Sequence, residues 1–369
     1  GIPDVIASCG QGLFVYLCAK KRLEGMEMDE LISYAESIKQ KIRQEFTVDD
    51  LGQLKKEINN VVGKTWEYTY DDRGNLLSKK EKVGSSTTAK SYTYFAQFAD
   101  EAWNDCVRTY NGSAAFTYDA IGNPLSYNNG STYTFTWQNG RQLASGTKGT
   151  TSFTYTYNSD GLRTRKVVGS KVYDYYWLGS QLAMMTVTSG SSVITMKFYY
   201  DDNGRPMILD YNDTKYFYVT NLQGDVVSIV STSGEIGSYI YDAWGNSIST
   251  GSSAILQNNP LRYRGYIYDT ETGFYYLQSR YYDPVMCRFI NADGQLNGGI
   301  LGNNLYSYCE NDPVNRTDEN GETWNDIKDA LKKLGVKVAE LEKAFDTLEA
   351  EELVIKTVDG FEEESQMLK

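Results

Sequence analysis

Histidine is absent from all 369 residues. That one absence excludes Ser-His-Asp and Cys-His catalysis, imidazole-bound zinc and histidine pH switches. Long apolar runs are also missing. The longest, Gly12 to Ala19, falls far short of the ~20 residues that a membrane-spanning helix needs, so no transmembrane span is expected. The five cysteines, Cys9, Cys18, Cys106, Cys287 and Cys309, include no C-x-x-C pair and read as buried free thiols. Basic residues are outnumbered: 36 Lys and Arg face 48 Asp and Glu, a net charge of −12, so the electrostatic footprint of a nucleic-acid binder is lacking. The chain opens on Gly1 with no basic-then-apolar leader, so any export signal is expected on a portion that precedes it.

Against 6 prolines stand 31 tyrosines and 33 glycines. Aromatic residues suit a pleated surface and glycine suits tight reversals, so a β-rich body of short strands is expected. Residues 1–58 read as helical, because Leu31, Tyr34, Ala35, Ile38, Ile42 and Phe46 share one face and Asp29 and Glu30 suit a first turn. From Trp66 to Tyr308 the pattern alternates, as in Tyr133-Thr134-Phe135-Thr136-Trp137, which marks half-buried strands. Beyond Thr323 a heptad seam of Trp324, Ile327, Leu331, Leu334, Val338, Leu341, Phe345 and Leu348 predicts a second helical segment.

A repeat runs through the middle. Tyr70-Asp71, Tyr118-Asp119, Tyr200-Asp201 and Tyr241-Asp242 each open a Y-D-x-x-G, and Tyr157-Asn158 opens a degenerate copy. The Asp or Asn caps the reversal through its side-chain oxygen, glycine supplies positive φ, and the tyrosine closes the preceding strand. A unit of two hairpins cannot bury its own apolar face and must pair with its neighbours.

These units resemble the YD repeats of Rhs-type proteins, the bacterial polymorphic-toxin family that shares its repeat with wall-associated proteins and teneurins. A longer match follows: Pro260-Leu261-Arg262-Tyr263-Arg264-Gly265-Tyr266, Glu271-Thr272-Gly273, Arg280-Tyr281-Tyr282-Asp283-Pro284 and Arg288-Phe289 are similar to the Rhs repeat-associated core, which Asn311-Asp312-Pro313-Val314-Asn315-Arg316 continues. Residues Asp4 to Leu51, including Ser8-Cys9-Gly10-Gln11-Gly12-Leu13 and Phe46-Thr47-Val48-Asp49-Asp50-Leu51, are similar to a fragment of the DegV fatty-acid-binding family. The expected architecture is mainly β: antiparallel hairpins spiralling into a partial shell, with short helical segments at both ends. It divides into a helical DegV-like segment at 1–58, a YD-repeat region at 59–258, an Rhs core at 259–322 and a variable tail at 323–369.

The resemblance implies a scaffold, secreted or at the cell surface, that carries its own C-terminal tail as cargo for contact-dependent competition. An immunity protein or secretion apparatus would be its partner. It also implies aspartyl self-cleavage, in which two carboxylates share one proton because close like charges drive their pKa values apart. Asp283 and Asp293 are the candidate pair, with Arg288 to orient or ionise one of them. The matching bond joins Glu322 to Thr323, in a motif that reads Asp318-Glu319-Asn320-Gly321-Glu322, with Glu319 where the family has proline. On their own terms Asp283 and Asp293 also read as Asx-turn residues. A third reading is a carbohydrate or cell-wall module using Trp66, Trp137, Trp177 and Trp244, for which cross-strand packing is the alternative. Asp71, Asp72, Asp201 and Asp202 offer oxygens to calcium, but without EF-hand spacing they read as turn caps, so no metal or cofactor is expected. Cys287 reads as a passive thiol. The tail, with twelve acids against seven bases, carries no recognisable catalytic cluster.

Overall fold

Alternating side chains fix which face of a strand is buried, and the computed structural model turns that alternation into one running meander. It describes residues 18, 21–22, 25–39, 44–94, 103–114, 116–221, 223–295 and 301–326. Six antiparallel strands run from Gln44–Val48 to Val107–Tyr110, and fourteen more from Thr117–Tyr118 to Ser247–Thr250. Each pairs only with its neighbours in sequence. The chain divides into two compact units, Gly1–Asn325 and Asp326–Lys369. The YD region and the Rhs-like core therefore share one body.

The repeat's side chains have legible jobs. In the turns, Asp71 Oδ1 accepts from the N–H groups of Arg73 and Asn75, and Asp119, Asn158, Asp201 and Asp242 repeat that bonding pattern. These oxygens cap turns, as their spacing suggested. Each tyrosine sits where the register shifts by one residue, and its ring reaches sideways. The hydroxyls of Tyr70, Tyr118, Tyr157, Tyr200 and Tyr241 donate to the carbonyls of Leu54, Val107, Leu143, Leu182 and Val226, at 2.7–3.1 Å. Every latch thus ties the end of one strand to the start of the strand before it. Trp137 and Trp177 do the same through Nε1, to Pro124 and Arg163.

The strip wraps a plug. Strands Ile267–Asp269, Phe274–Leu277, Arg280–Asp283 and Arg288–Phe289 form a small sheet whose two middle strands are buried at every position, on both faces. Rings fill the space between layers; Tyr133 stacks on Phe274 at 5.2 Å and Tyr155 on Tyr281 at 5.4 Å. The hydroxyls of Tyr275 and Tyr282 donate to the carbonyls of Gly245 and Trp244. The strip also meets itself, since Glu57 accepts from the N–H of Ala243 and Lys79 pairs with Asp242 at 3.2 Å.

Gly245 marks how close the plug comes. Its φ is +81°, and an added Cβ would lie 2.5 Å from the ring of buried Tyr263. Gly245→Ala is therefore expected to destabilise the fold by about 2–4 kcal/mol, from left-handed strain plus overpacking. Chemical denaturation checks this; a loss under about 0.5 kcal/mol would mean that the ring simply moves aside.

Three expectations change. Within 1–58 Met28–Lys39 is a helix, with Leu31, Tyr34 and Ala35 half-buried, and Cys18, Lys21 and Arg22 are also helical, whereas Gln44–Val48 and Leu54–Asn59 are strands. Phe46 thus belongs to a hairpin; Thr47, Glu45 and Val48 around it favour or tolerate a pleat once Asp49 and Gly52 supply the turn. Trp324 begins a strand, Trp324–Asp326, paired with Arg316–Asp318. The rest of the heptad seam lies outside the described residues.

Candidate active site

Arg280 opens the second buried strand of the plug, and its guanidinium gathers the chain around it. Nη2 lies 2.9 Å from Asp293 Oδ2 and 3.3 Å from Asp318 Oδ2. Nη1 donates to Leu305 O at 3.2 Å, and Nε donates to Gly321 O. All three charged residues are more than nine-tenths buried. Asp293 is fixed by its own N–H on Leu305 O and by the Gln295 N–H on its Oδ1. Asp318 is fixed by its N–H on the Tyr266 hydroxyl, while its Oδ1 accepts from the N–H groups of Gly321, at 2.8 Å, and Glu322, at 3.2 Å. A small cleft opens over this cluster, bordered by Asp293, Asp318, Glu322 and Trp324.

Burial pushes the Asp318 carboxyl above the usual range, and the Asp293 charge adds to that against the pull of Arg280. Burial also lowers the Arg280 pKa, despite its two carboxylate neighbours. Two buried carboxylates thus share one cation, and one of them is inclined to keep its proton.

The residues singled out from sequence divide. The fold brings Asp293 beside Asp318, on the one Arg280 cation, and gives Asp283 a separate set of partners. Asp283 accepts from Tyr127 Oη, Asn129 Nδ2 and the Val285 and Met286 N–H groups. Burial pushes its pKa up, and with its oxygens occupied it is the Asx-turn residue before Pro284. Arg288 does not orient the pair: its guanidinium donates to Asp105 O and lies over the rings of Tyr94 and Tyr306, so Arg280 takes that place. Glu322 and Thr323 are exposed, and the Glu322 carboxylate accepts from the Asn320 side-chain amide.

Sequence reasoning missed Arg280 and Asp318 as site residues. Both stood in matched motifs, and only the fold brings them together. The sugar-stacking candidates are otherwise engaged: Trp66 and Trp244 are buried, and Trp137 and Trp177 are latches. Cys287 is also buried. Burial pushes its thiol up to about 12, although Lys79 Nζ lies 3.7 Å from its sulfur, so it is a passive thiol.

The chain is similar to known proteins over most of its length. The teneurin YD-shell family profile matches residues 27–314. The tRNA3(Ser)-specific nuclease WapA of Bacillus spizizenii (strain DSM 15029 / JCM 12233 / NBRC 101239 / NRRL B-23049 / TU-B-10) is 35% identical over 277 residues, covering 73% of this chain; the chain spans 11% of that relative's length. A DegV domain-containing protein of Clostridium perfringens (strain 13 / Type A) is 45% identical over 56 residues, 15% of this chain and 19% of that protein. Among solved structures, TcdB2-TccC3 without its hypervariable C-terminal region superposes with a TM-score of 0.62 at 18% identity, over 75% of this chain and 15% of that one. That likeness speaks for the fold alone. Hairpin strip, tyrosine latches, buried plug and family match agree: the chain belongs to the teneurin YD-shell family.

Proposed function

We propose that this chain is the shell-and-plug portion of a secreted or surface toxin protein, and that Arg280, Asp293 and Asp318 cut the Glu322–Thr323 bond to free residues 323–369 as cargo. The observation that carries this reading is the single guanidinium shared by two buried carboxylates, one of which also accepts from the Glu322 N–H. The WapA relative is named as a nuclease, which fits a shell that carries an effector. Among the described residues no helix is long and apolar enough to cross a membrane.

The proposed step is hydrolysis. Asp293, with the shorter pair to Arg280, takes a proton from water as the water oxygen bonds to the Glu322 carbonyl carbon. Asp318 gives its proton to the carbonyl oxygen, forming a gem-diol; Asp293 then passes the proton taken from water to the Thr323 nitrogen as the C–N bond breaks, and Asp318 recovers a proton from the diol, leaving Glu322 with a carboxyl group and Thr323 with a free amine. Asp318 must be protonated to act. Its raised pKa lets that state persist to a higher pH than an ordinary carboxyl allows, so cleavage is expected to fall as pH rises through it.

The intact mass of the freshly purified chain, beside Asp318→Asn and Asp293→Asn, tests the reading. Fragments breaking after Glu322 in the unaltered chain only would support it. A single 41.6 kDa species in all three would leave a shell whose tail stays attached.

A further inference from the structure

The junction hangs between two anchors. On its upstream side, Asn320 O accepts from both the N–H and the hydroxyl of Ser279, Gly321 O accepts from Arg280, and Asp318 holds the Gly321 and Glu322 N–H groups. Gly321, at φ +78°, is pressed against the plug, where an added Cβ would lie 2.7 Å from Ser279 Oγ and 2.8 Å from Leu277 O. On its downstream side, Trp324 packs against the core, and its ring lies 3.9 Å from the Arg316 guanidinium. Arg316 is held in turn by the Glu310 carboxylate at 2.5 Å. Only Glu322 and Thr323 separate the anchors, and both are exposed.

We propose that Trp324, clamped under Arg316, is a positioning residue that fixes the chain beyond the junction, so that self-cleavage requires an aromatic side chain two residues past the cut. This rests on the reading of Arg280, Asp293 and Asp318 as a self-protease. An anchored end on each side holds the peptide near one geometry, and fixing a reactant near its attack geometry is where much of the rate of an intramolecular reaction arises. The clamp uses the face of the indole and the fixed charge above it, a pairing that phenylalanine and tyrosine retain more weakly and alanine not at all. Specificity would then lie downstream of the bond, where Trp324 borders the same cleft as the two carboxylates.

The test follows disappearance of full-length chain after a pulse of cell-free synthesis, for the unaltered chain, Trp324→Ala, Trp324→Phe, Arg316→Gln and Asp318→Asn. Trp324→Ala is expected to slow cleavage by about tenfold to a hundredfold, Trp324→Phe to restore most of the rate, and Arg316→Gln to fall between. The unfolding midpoint of the Asp318→Asn chain, with and without Trp324→Ala, reports whether the shell itself is disturbed; the two are expected to agree. If Trp324→Ala cuts as fast as the unaltered chain, or Trp324→Phe is as slow as Trp324→Ala, the clamp is overturned while the self-protease stands. An unaltered chain that stays as intact as Asp318→Asn overturns both.

Discussion

Replacing Arg163 by methionine is expected to lower the stability of the shell by about 3–5 kcal/mol, the typical cost of removing one partner from a buried ion pair. Arg163 is wholly buried, and its two Nη atoms grip Asp269 at 2.6 and 2.9 Å. Four rings surround the guanidinium: Tyr276, Tyr175, Tyr155 and Tyr281, at 4.4 to 5.7 Å. Burial works against the Arg163 cation, and the Asp269 carboxylate overcomes it, so its pKa stands well above the ordinary value. Methionine fills part of the volume but leaves Asp269 with Lys166 alone, at 2.8 Å, and Lys166 is already shared with Glu271 at 3.0 Å. Adding Asp269→Asn to Arg163→Met should recover part of the loss, because it removes the stranded charge. Equal stability for the single and double variants would mean that the rings, rather than the ion pair, set the cost.

Glu57→Gln should do the opposite, stabilising the protein above neutral pH. Burial pushes the Glu57 carboxyl up to about 8, and the nearby Asp242 carboxylate adds to the shift. Its ordinary value is 4.5, so between 4.5 and about 8 the folded chain keeps a proton that the unfolded chain has lost. Stability therefore falls as pH rises through that window and levels off beyond it. Glutamine is neutral throughout and keeps the shape, so it removes this slope. Its advantage should grow from nothing near pH 4.5 to on the order of a few kcal/mol at pH 9. Urea unfolding at pH 5, 7 and 9 measures it. Parallel curves for the two proteins would show that Glu57 is not the group that titrates. The effect matters for the shell because Glu57 sits where the start of the strip meets its end, facing Asp242, Ala243, Lys79 and Asn59.

Turn chemistry was legible in the sequence because it is local. In the repeat, an Asp or Asn three residues before glycine caps its reversal with partners from the same few residues, and five such turns are legible. Two more, Asp49 to Gly52 and Asn221 to Gly224, have the same bonding but follow Val48 and Thr220 in place of tyrosine. Weighting the tyrosine hid them, and with the first of them the strands of 44–59. The tyrosine's real role is a sideways latch, which needs a neighbouring strand and cannot be seen from one strand alone. The site was half legible for a similar reason. Asp283 and Asp293 lie close in the chain, so they looked like a pair. The carboxylates that the fold sets on one cation are Asp293 and Asp318, both reached by Arg280. Asp283 was instead marked by Pro284, whose fixed geometry favours the Asx turn seen there.

Pairing only between sequence neighbours also dictates how the shell can be made. Each hairpin closes over a short stretch of chain, so the strip can assemble stepwise as it leaves a ribosome or a narrow channel, with little loop-closure entropy at each step. The plug obeys the opposite rule: Asn304 bonds Asn75 across 229 residues, and Arg163 waits 106 residues for Asp269. Until those last segments emerge, a curled sheet stands with its tyrosine face uncovered and Arg163 uncompensated. The plug is therefore the keystone of the strip, and a polypeptide halted before it would be a sticky, unfinished ribbon prone to associate with its own copies.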